Sequence, residues 1–255
     1  MKRIAAFGYG VLAYALFLVT FLYAIGFLGN FAVPKSIDSP RTGSLGAALA
    51  TDLILLGVFA VQHSVMARPG FKKAWTRIVP ASIERSTYVL FSSIALIALF
   101  AWWRPLGGIV WELDGVVART IAQALFATGF ATVLVATFLI NHFDLVGLRQ
   151  VWTYLRGREY RPLRFATPGP YRHIRHPLYV GWLLAFWATP TMTATHLLFA
   201  VATTAYIAIA VRWEERDLAA VHGAAYRAYQ ERVPRFIPRI ERRDASPSAD
   251  ATAAA

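Results

Sequence analysis

The chain has no cysteine among its 255 residues, which removes a disulfide framework, a thiolate zinc site and a cysteine nucleophile from consideration. It has little charge: 16% of residues are charged, where soluble domains carry about 25%. Acidic residues are the scarcer kind, 14 against 26 lysines and arginines, for a formal net charge of +12. In a soluble protein that excess would suggest nucleic acid as a partner. Here the basic residues sit in loops between long apolar runs, which is the pattern of membrane topology. A lipid bilayer is therefore expected as a partner, and nucleic acid is not. No internal repeat is evident, which counts against a transporter built from inverted halves. The 6 histidines are scattered, so no metal site is expected.

What the chain does have is apolar length. Four runs, residues 5–28, 45–66, 88–103 and 117–140, approach or exceed the roughly 20 residues that cross a hydrocarbon core of about 30 Å. Met1-Lys2-Arg3 before the first run has the charge of a signal peptide. The run is too long for one and lacks a small-x-small cleavage site before a polar domain, so it reads as a retained transmembrane helix. Ser86-Thr87 reads as the N-cap of the third run and Arg104-Pro105 as its end. Trp102-Trp103 reads as an interfacial anchor. Residues 145–175 cannot span, and hold a short helix expected at 146–155. From Pro177 the chain is apolar to Val211, divided at Thr189-Pro190-Thr191. A helical hairpin is expected there, its short first arm tilted or lengthened through Pro190. An amphipathic segment, 212–240, is ended by Pro234 and Pro238, and a polar tail, 241–255, is expected to be disordered.

Lysine and arginine number 2 at the N-terminus, 5 in residues 67–86, 7 in 142–176 and 8 from Arg212 onward. The intervening loops hold only Lys35, Arg41, Arg104 and Arg119. This alternation places both termini and the long loop in the cytoplasm of a bacterial inner membrane. The expected fold class is an all-α, polytopic integral membrane helical bundle with four long spans and a C-terminal helical hairpin.

Residues 167–181 concentrate Arg, His and Tyr where hydrocarbon begins. The prolines 168, 170 and 177 break any helix before Pro177 and let one start there. Polar groups at such a boundary are costly if unused, which marks the stretch as a site. Pro170-Tyr-Arg-His-Ile-Arg-His-Pro-Leu-Tyr-Val-Gly181 is followed by Glu214-Glu215, by His222-Gly-Ala-Ala-Tyr226-Arg-Ala-Tyr229 and by Val-Pro234-Arg235-Phe-Ile-Pro238. In that order these resemble the signature of the isoprenylcysteine carboxyl methyltransferase superfamily. Asn141-His-Phe-Asp-Leu-Val-Gly-Leu-Arg-Gln150 and Gln62-His63-Ser64 resemble its methanethiol S-methyltransferase branch, which is related to nitrite-reduction accessory proteins. The sequence departs from the superfamily at His222, where an aromatic residue is usual.

The resemblance implies S-adenosyl-L-methionine as cofactor and in-line methyl transfer to a small thiol, methanethiol giving dimethyl sulfide. Tyr171, Tyr179, Tyr226 and Tyr229 are candidates to stack on the adenine. Arg172, His173, Arg175 and His176 suit the cofactor's carboxylate. Glu214 and Glu215 suit its ribose hydroxyls and ammonium, and Gly181 would allow close approach of helix and ligand. A thiol, with a reference pKa of about 8.5, is mostly protonated at neutral pH and needs a base or a cationic field. His142, Asp144 and His63 are candidates for the base, and Arg149 for the field. Residues 1–144 would then be the acceptor half and 145–240 the cofactor half. Competing readings are a methyltransferase for lipid or isoprenyl acceptors, an NADPH-dependent membrane reductase and a non-catalytic accessory protein. The sequence does not set the oligomeric state.

Overall fold

A computed structural model describes residues 1–238. The end of the amphipathic segment at 240 and the 241–255 tail lie outside the described residues. Among the described residues, five helices are long and apolar enough to cross a bilayer. They are α1 (Lys2–Gly29), α2 (Leu45–Ala67), α4 (Ala81–Trp102), α5 (Val116–Ile140) and α9 (Ala194–His222), with a short α3 (Pro69–Trp75) between the second and third. Two short helices, α6 (His142–Leu145) and α7 (Leu148–Leu155), follow α5, and α8 (Pro177–Trp187) and α10 (Ala224–Arg232) flank the last long helix. The protein is thus the integral membrane helical bundle expected.

One end of the bundle gathers the basic loops. There Arg3 stacks over Tyr154, Arg68 pairs with Asp217 at 2.7 Å, and Arg85 donates to the Leu145 carbonyl at 2.7 Å. At the opposite end Lys35 donates to the Ala101 carbonyl and buried Asp52 accepts from the Arg104 amide at 2.8 Å. Asp38 accepts from Asn30 and from Thr193 at that same end.

Four local features differ from expectation. Two strands, β1 (Ile109–Glu112) and β2 (Thr191–Thr193), form an antiparallel ribbon at the end opposite the basic loops. The cause is length. The 11 residues of α8 rise only about 16 Å, at 1.5 Å each, so the arm continues as an extended strand whose backbone must be paired. Second, α4 begins at Ala81 with Pro80 as its N-cap, so Ser86 and Thr87 lie inside the helix. Their hydroxyls bond to neighbours instead, Thr87 to the Ile83 carbonyl at 2.8 Å and Ser86 to Gly147 at 3.5 Å. Third, α9 runs unbroken through Arg212 to His222, because the stretch holds no Gly or Pro until Gly223, where φ is +59°. Fourth, the two tryptophans part: Trp102 is exposed, whereas Trp103 is 1% exposed and donates to the Ile37 carbonyl.

The tightest helix contact joins α5 to α8. A Cβ at Gly181 would lie 2.8 Å from the Gly129 carbonyl oxygen, and one at Gly129 would lie 2.6 Å from the Ala185 nitrogen. Small residues let the two backbones touch, as is common between membrane helices. Gly181 is therefore taken up by a neighbouring helix, and the close approach expected of it toward a ligand is made toward α5 instead. Gly181→Ala should destabilise the protein by about 1–3 kcal/mol, as overpacking does. Gly57→Ala, at a helical glycine with open space around it, should lower the thermal midpoint in detergent little or not at all.

Candidate active site

The motif at 167–181 sits at the basic end. Gly169–Arg172 forms one 3-10 turn, and Pro177 opens α8 as its first helical residue. Proline suits that position because its missing N–H needs no partner there. The chain after α10 folds back onto this turn: the amide of Arg175 donates to the Pro234 carbonyl at 2.8 Å and that of His176 to Arg235 at 3.1 Å. Beneath them lies Glu215, whose side chain is 4% exposed. It accepts from Arg175 Nε at 2.8 Å, His176 Nε2 at 3.1 Å and Arg235 Nη2 at 2.8 Å. Arg175 also donates to the carbonyls of Gln230 at 2.7 Å and Val233 at 2.6 Å. Three of the expected cofactor ligands, Arg175, His176 and Glu215, are thus committed to one another and to the C-terminal segment.

The neighbouring Glu214 is differently placed. It is half-buried, and its Oε2 accepts from the Tyr179 hydroxyl at 2.9 Å. The Tyr171 hydroxyl is buried without a hydrogen-bond partner among the described residues. Burial, and then the Glu214 carboxylate, push this phenol's pKa upward, so it stays protonated and able to donate. Tyr226 and Tyr229 are buried against each other and against Phe165 of the long loop, and Tyr229 donates to the Tyr171 carbonyl. Burial pushes the Tyr229 phenol up to about 12. His222 also packs on Phe165, with ring centroids 5.2 Å apart, so the unusual histidine fills an aromatic slot. Arg172 and His173 are exposed. Of the eleven cofactor candidates, Tyr171, Tyr179 and Glu214 have open hydrogen-bonding capacity and come together.

The four catalytic candidates do not form one cluster. Asp144 accepts from Arg149 at 2.8 Å and from the Tyr160 hydroxyl at 3.0 Å, which ties the long loop to α6 and α7. Arg149 also holds the Arg161 carbonyl. His142 is buried at the α5–α6 junction, its ring stacked on Phe138 at 4.5 Å. Desolvation lowers its pKa, which keeps it neutral at pH 7. Thr137 Oγ1 donates to the Leu134 carbonyl at 2.7 Å, so it can only accept from His142 Nδ1, 3.0 Å away. The Tyr14 hydroxyl, 3.2 Å from Nε2, must then be the donor there.

His63 on α2 also lies among hydroxyls. Ser92 Oγ donates to the Tyr88 carbonyl at 2.9 Å and therefore accepts from His63 Nδ1 at 3.2 Å. The Tyr88 hydroxyl lies over the face of the ring, 2.9 Å from Nε2 and 3.1 Å from Nδ1. Residue patterns alone missed Tyr88, Ser92, Tyr14 and Thr137 as neighbours of the two histidines, and named Arg235 only as part of the signature. A usable signal existed for one pair: Tyr88 and Ser92 are polar residues four apart in an apolar helix, hence on one face. Beside His63, Ser64 donates to the Tyr206 hydroxyl of α9 at 3.2 Å, and Phe59 touches both His63 and Tyr206. This group on α2 and α4 therefore adjoins the helix that carries Glu214.

The family model described as phospholipid methyltransferase matches residues 117–225, the stretch from α5 into α10. A methanethiol S-methyltransferase of Crocosphaera subtropica is 56% identical over 232 residues, covering 91% of this chain and 91% of its own. One from Mycobacterium tuberculosis is 51% identical over 238 residues, covering 93% and 98%. Nurim of Rattus norvegicus is 32% identical over 184 residues, covering 69% and 70%. No solved structure matches. With five membrane-length helices, the signature turn at the basic end and identity above half across nearly the whole length of a relative, the chain belongs to the methanethiol S-methyltransferase family of membrane methyltransferases.

Proposed function

We propose that the protein transfers a methyl group from S-adenosyl-L-methionine to methanethiol, releasing dimethyl sulfide, at the cytoplasmic face of a bacterial inner membrane. The observation that carries the reading is the nearness, in a chain of this family, of the half-buried Glu214 carboxylate to the unpartnered, buried Tyr171 hydroxyl. A buried donor and a carboxylate with an open oxygen suit a ligand rich in hydroxyl, amino and carboxylate groups. Tyr171, Tyr179 and Glu214 would hold the cofactor, with Arg172 and His173 available at the rim for its carboxylate. When bound, S-adenosyl-L-methionine supplies an electrophilic methyl group on a sulfonium. The chain's own work is to orient that ligand, exclude water and take the acceptor's proton. The Glu215 cluster orients the turn, and the first half supplies the acceptor side, with His63 and His142 as the available imidazoles. A small apolar acceptor can reach these from the bilayer, while a water-soluble cofactor reaches the basic end from the cytoplasm.

Headspace gas chromatography of the purified protein tests this. Dimethyl sulfide should appear with methanethiol and S-adenosyl-L-methionine together and with neither alone. Larger thiols and phospholipids should be poor acceptors, and NADPH should have no effect. Methylation of a phospholipid in preference to methanethiol would sink the acceptor assignment. Failure of S-adenosylhomocysteine to bind would sink the cofactor.

A further inference from the structure

We propose that a cavity at the end opposite the basic loops binds the phosphate of an anionic phospholipid, held between Lys35 and Arg104. The proposal is independent of the thiol-methylation reading. It starts from a scarcity: the basic residues at this end are Lys35, Arg41, Arg104 and Arg119. Arg119 pairs with Glu112 at 3.3 Å. Lys35 and Arg104 instead line one open cavity of about 350 Å³, together with Thr42, Gly43 and Trp102.

The walls of this cavity are pinned. Trp103 donates to the Ile37 carbonyl at 3.2 Å, Tyr23 to that of Lys35 at 3.0 Å, and the Arg104 amide to Asp52 at 2.8 Å. The Lys35 ammonium spends one proton on the Ala101 carbonyl at 2.7 Å, which covers the negative end of α4 and leaves two protons to donate. The Arg104 side chain is exposed and makes no hydrogen bond to the described residues, so its five N–H donors are unspent. Neither cation forms an ion pair among the described residues. Asp52 is the carboxylate that acts on Lys35, but it is 0% exposed and does not line the cavity. Burial lowers the Lys35 pKa, Asp52 offsets this and Arg104 adds to it, because two like charges share one space. An anion between them relieves that repulsion. Thr42 and Gly43 lead into Ser44, the N-cap of α2, so the positive end of that helix adds to the field.

Position selects the source of the phosphate. α1 ends at Gly29, α4 ends at Trp102 and α2 starts at Leu45, so the cavity lies where hydrocarbon gives way to headgroups. Trp102, 65% exposed, marks the same level. The adjoining turns of α2 and α4 carry exposed Leu45, Leu49 and Ile97, a surface for acyl chains. Arginine and lysine suit phosphate oxygens, while two cations together repel the ammonium of a zwitterionic headgroup. A phosphatidylglycerol-type headgroup, whose net charge is negative, meets both conditions.

Native mass spectrometry of the full chain in dodecyl maltoside, with phosphatidylglycerol and phosphatidylcholine at equal concentration, tests this. The wild-type protein should retain one phosphatidylglycerol more than Lys35→Gln/Arg104→Gln. Arg104→Gln alone should bind that lipid at least about 10-fold more weakly, as loss of a hydrogen bond to a charged group implies, and serves if the double variant does not fold. Arg158→Gln, which removes one exposed charge at the basic end, should retain the wild-type number. S-adenosylhomocysteine affinity should be unchanged in all three. Equal retention by the wild type and Arg104→Gln overturns the site, and so does the same loss in Arg158→Gln, which would reduce it to net charge. Phosphatidylcholine retained as well as phosphatidylglycerol overturns the preference for an anionic lipid. Displacement of the lipid by an equal concentration of inorganic phosphate overturns the lipid as occupant.

Discussion

Replacing Glu215 by alanine should destabilise the protein by about 3–5 kcal/mol, the usual cost of removing one partner from a buried ion pair. The side chains left behind, Arg175 at 9% exposure and His176 at 5%, cannot turn to water. They would face each other as uncompensated groups at the mouth of α8. Arg235, 48% exposed, can swing out, and that is how the damage should spread. The end of α10 and the segment after it are held to the 167–181 turn by Glu215, by the two Arg175 bonds to carbonyls and by two amide bonds. Removing the anion weakens the first and disorders the second. Limited proteolysis should therefore cut between residues 223 and 238 before the core opens, and the thermal midpoint should drop. Glu215→Gln, which keeps shape and one acceptor, should fall between the two. A midpoint within experimental error of wild type for Glu215→Ala would falsify the clamp.

Glu214→Gln should do the reverse. The side chain is half-buried and makes one hydrogen bond within the described residues, from Tyr179, which an amide oxygen can also accept. Stability should hardly change. What disappears is the charge. A hydrogen bond to a charged group contributes about 1.5–3 kcal/mol, so S-adenosylhomocysteine affinity should fall by roughly 10- to 150-fold in calorimetric titration. Two adjacent glutamates thus have separable phenotypes. Consecutive helical residues point about 100° apart, at 3.6 residues per turn, so one faces the C-terminal segment and the other the tyrosines. Equal loss of affinity in a fully stable Glu215→Gln variant, with none in Glu214→Gln, would reverse the assignment.

How much of this was legible beforehand varies by feature. The long spans were legible because a hydrocarbon core demands about 20 apolar residues, and that demand is met locally. Their ends were less so. Ser86-Thr87 has the composition of a cap but lies inside α4, since its hydroxyls found partners on the same and a neighbouring segment. The helix start at Pro177 was legible because proline's constraint is intramolecular and immediate. The ribbon of β1 and β2 was not, because it pairs residues about 80 positions apart and arises from the shortness of α8.

The sequence by itself determined a membrane protein, its signature turn and the family to which those residues point. Hydropathy and short motifs are properties of neighbouring residues, so they survive without coordinates. Only the tertiary structure decided which polar residues are already paired. Arg175 and Glu215 lie 40 positions apart, and Ser64 and Tyr206 lie 142 apart. Their contacts depend on how each helix is rotated, and a rotation of one residue exchanges the roles of Glu214 and Glu215. For that reason the turn at 167–181, first read as seven ligands for one molecule, resolves into a structural clamp around Glu215 and a smaller polar set at Tyr171, Tyr179 and Glu214.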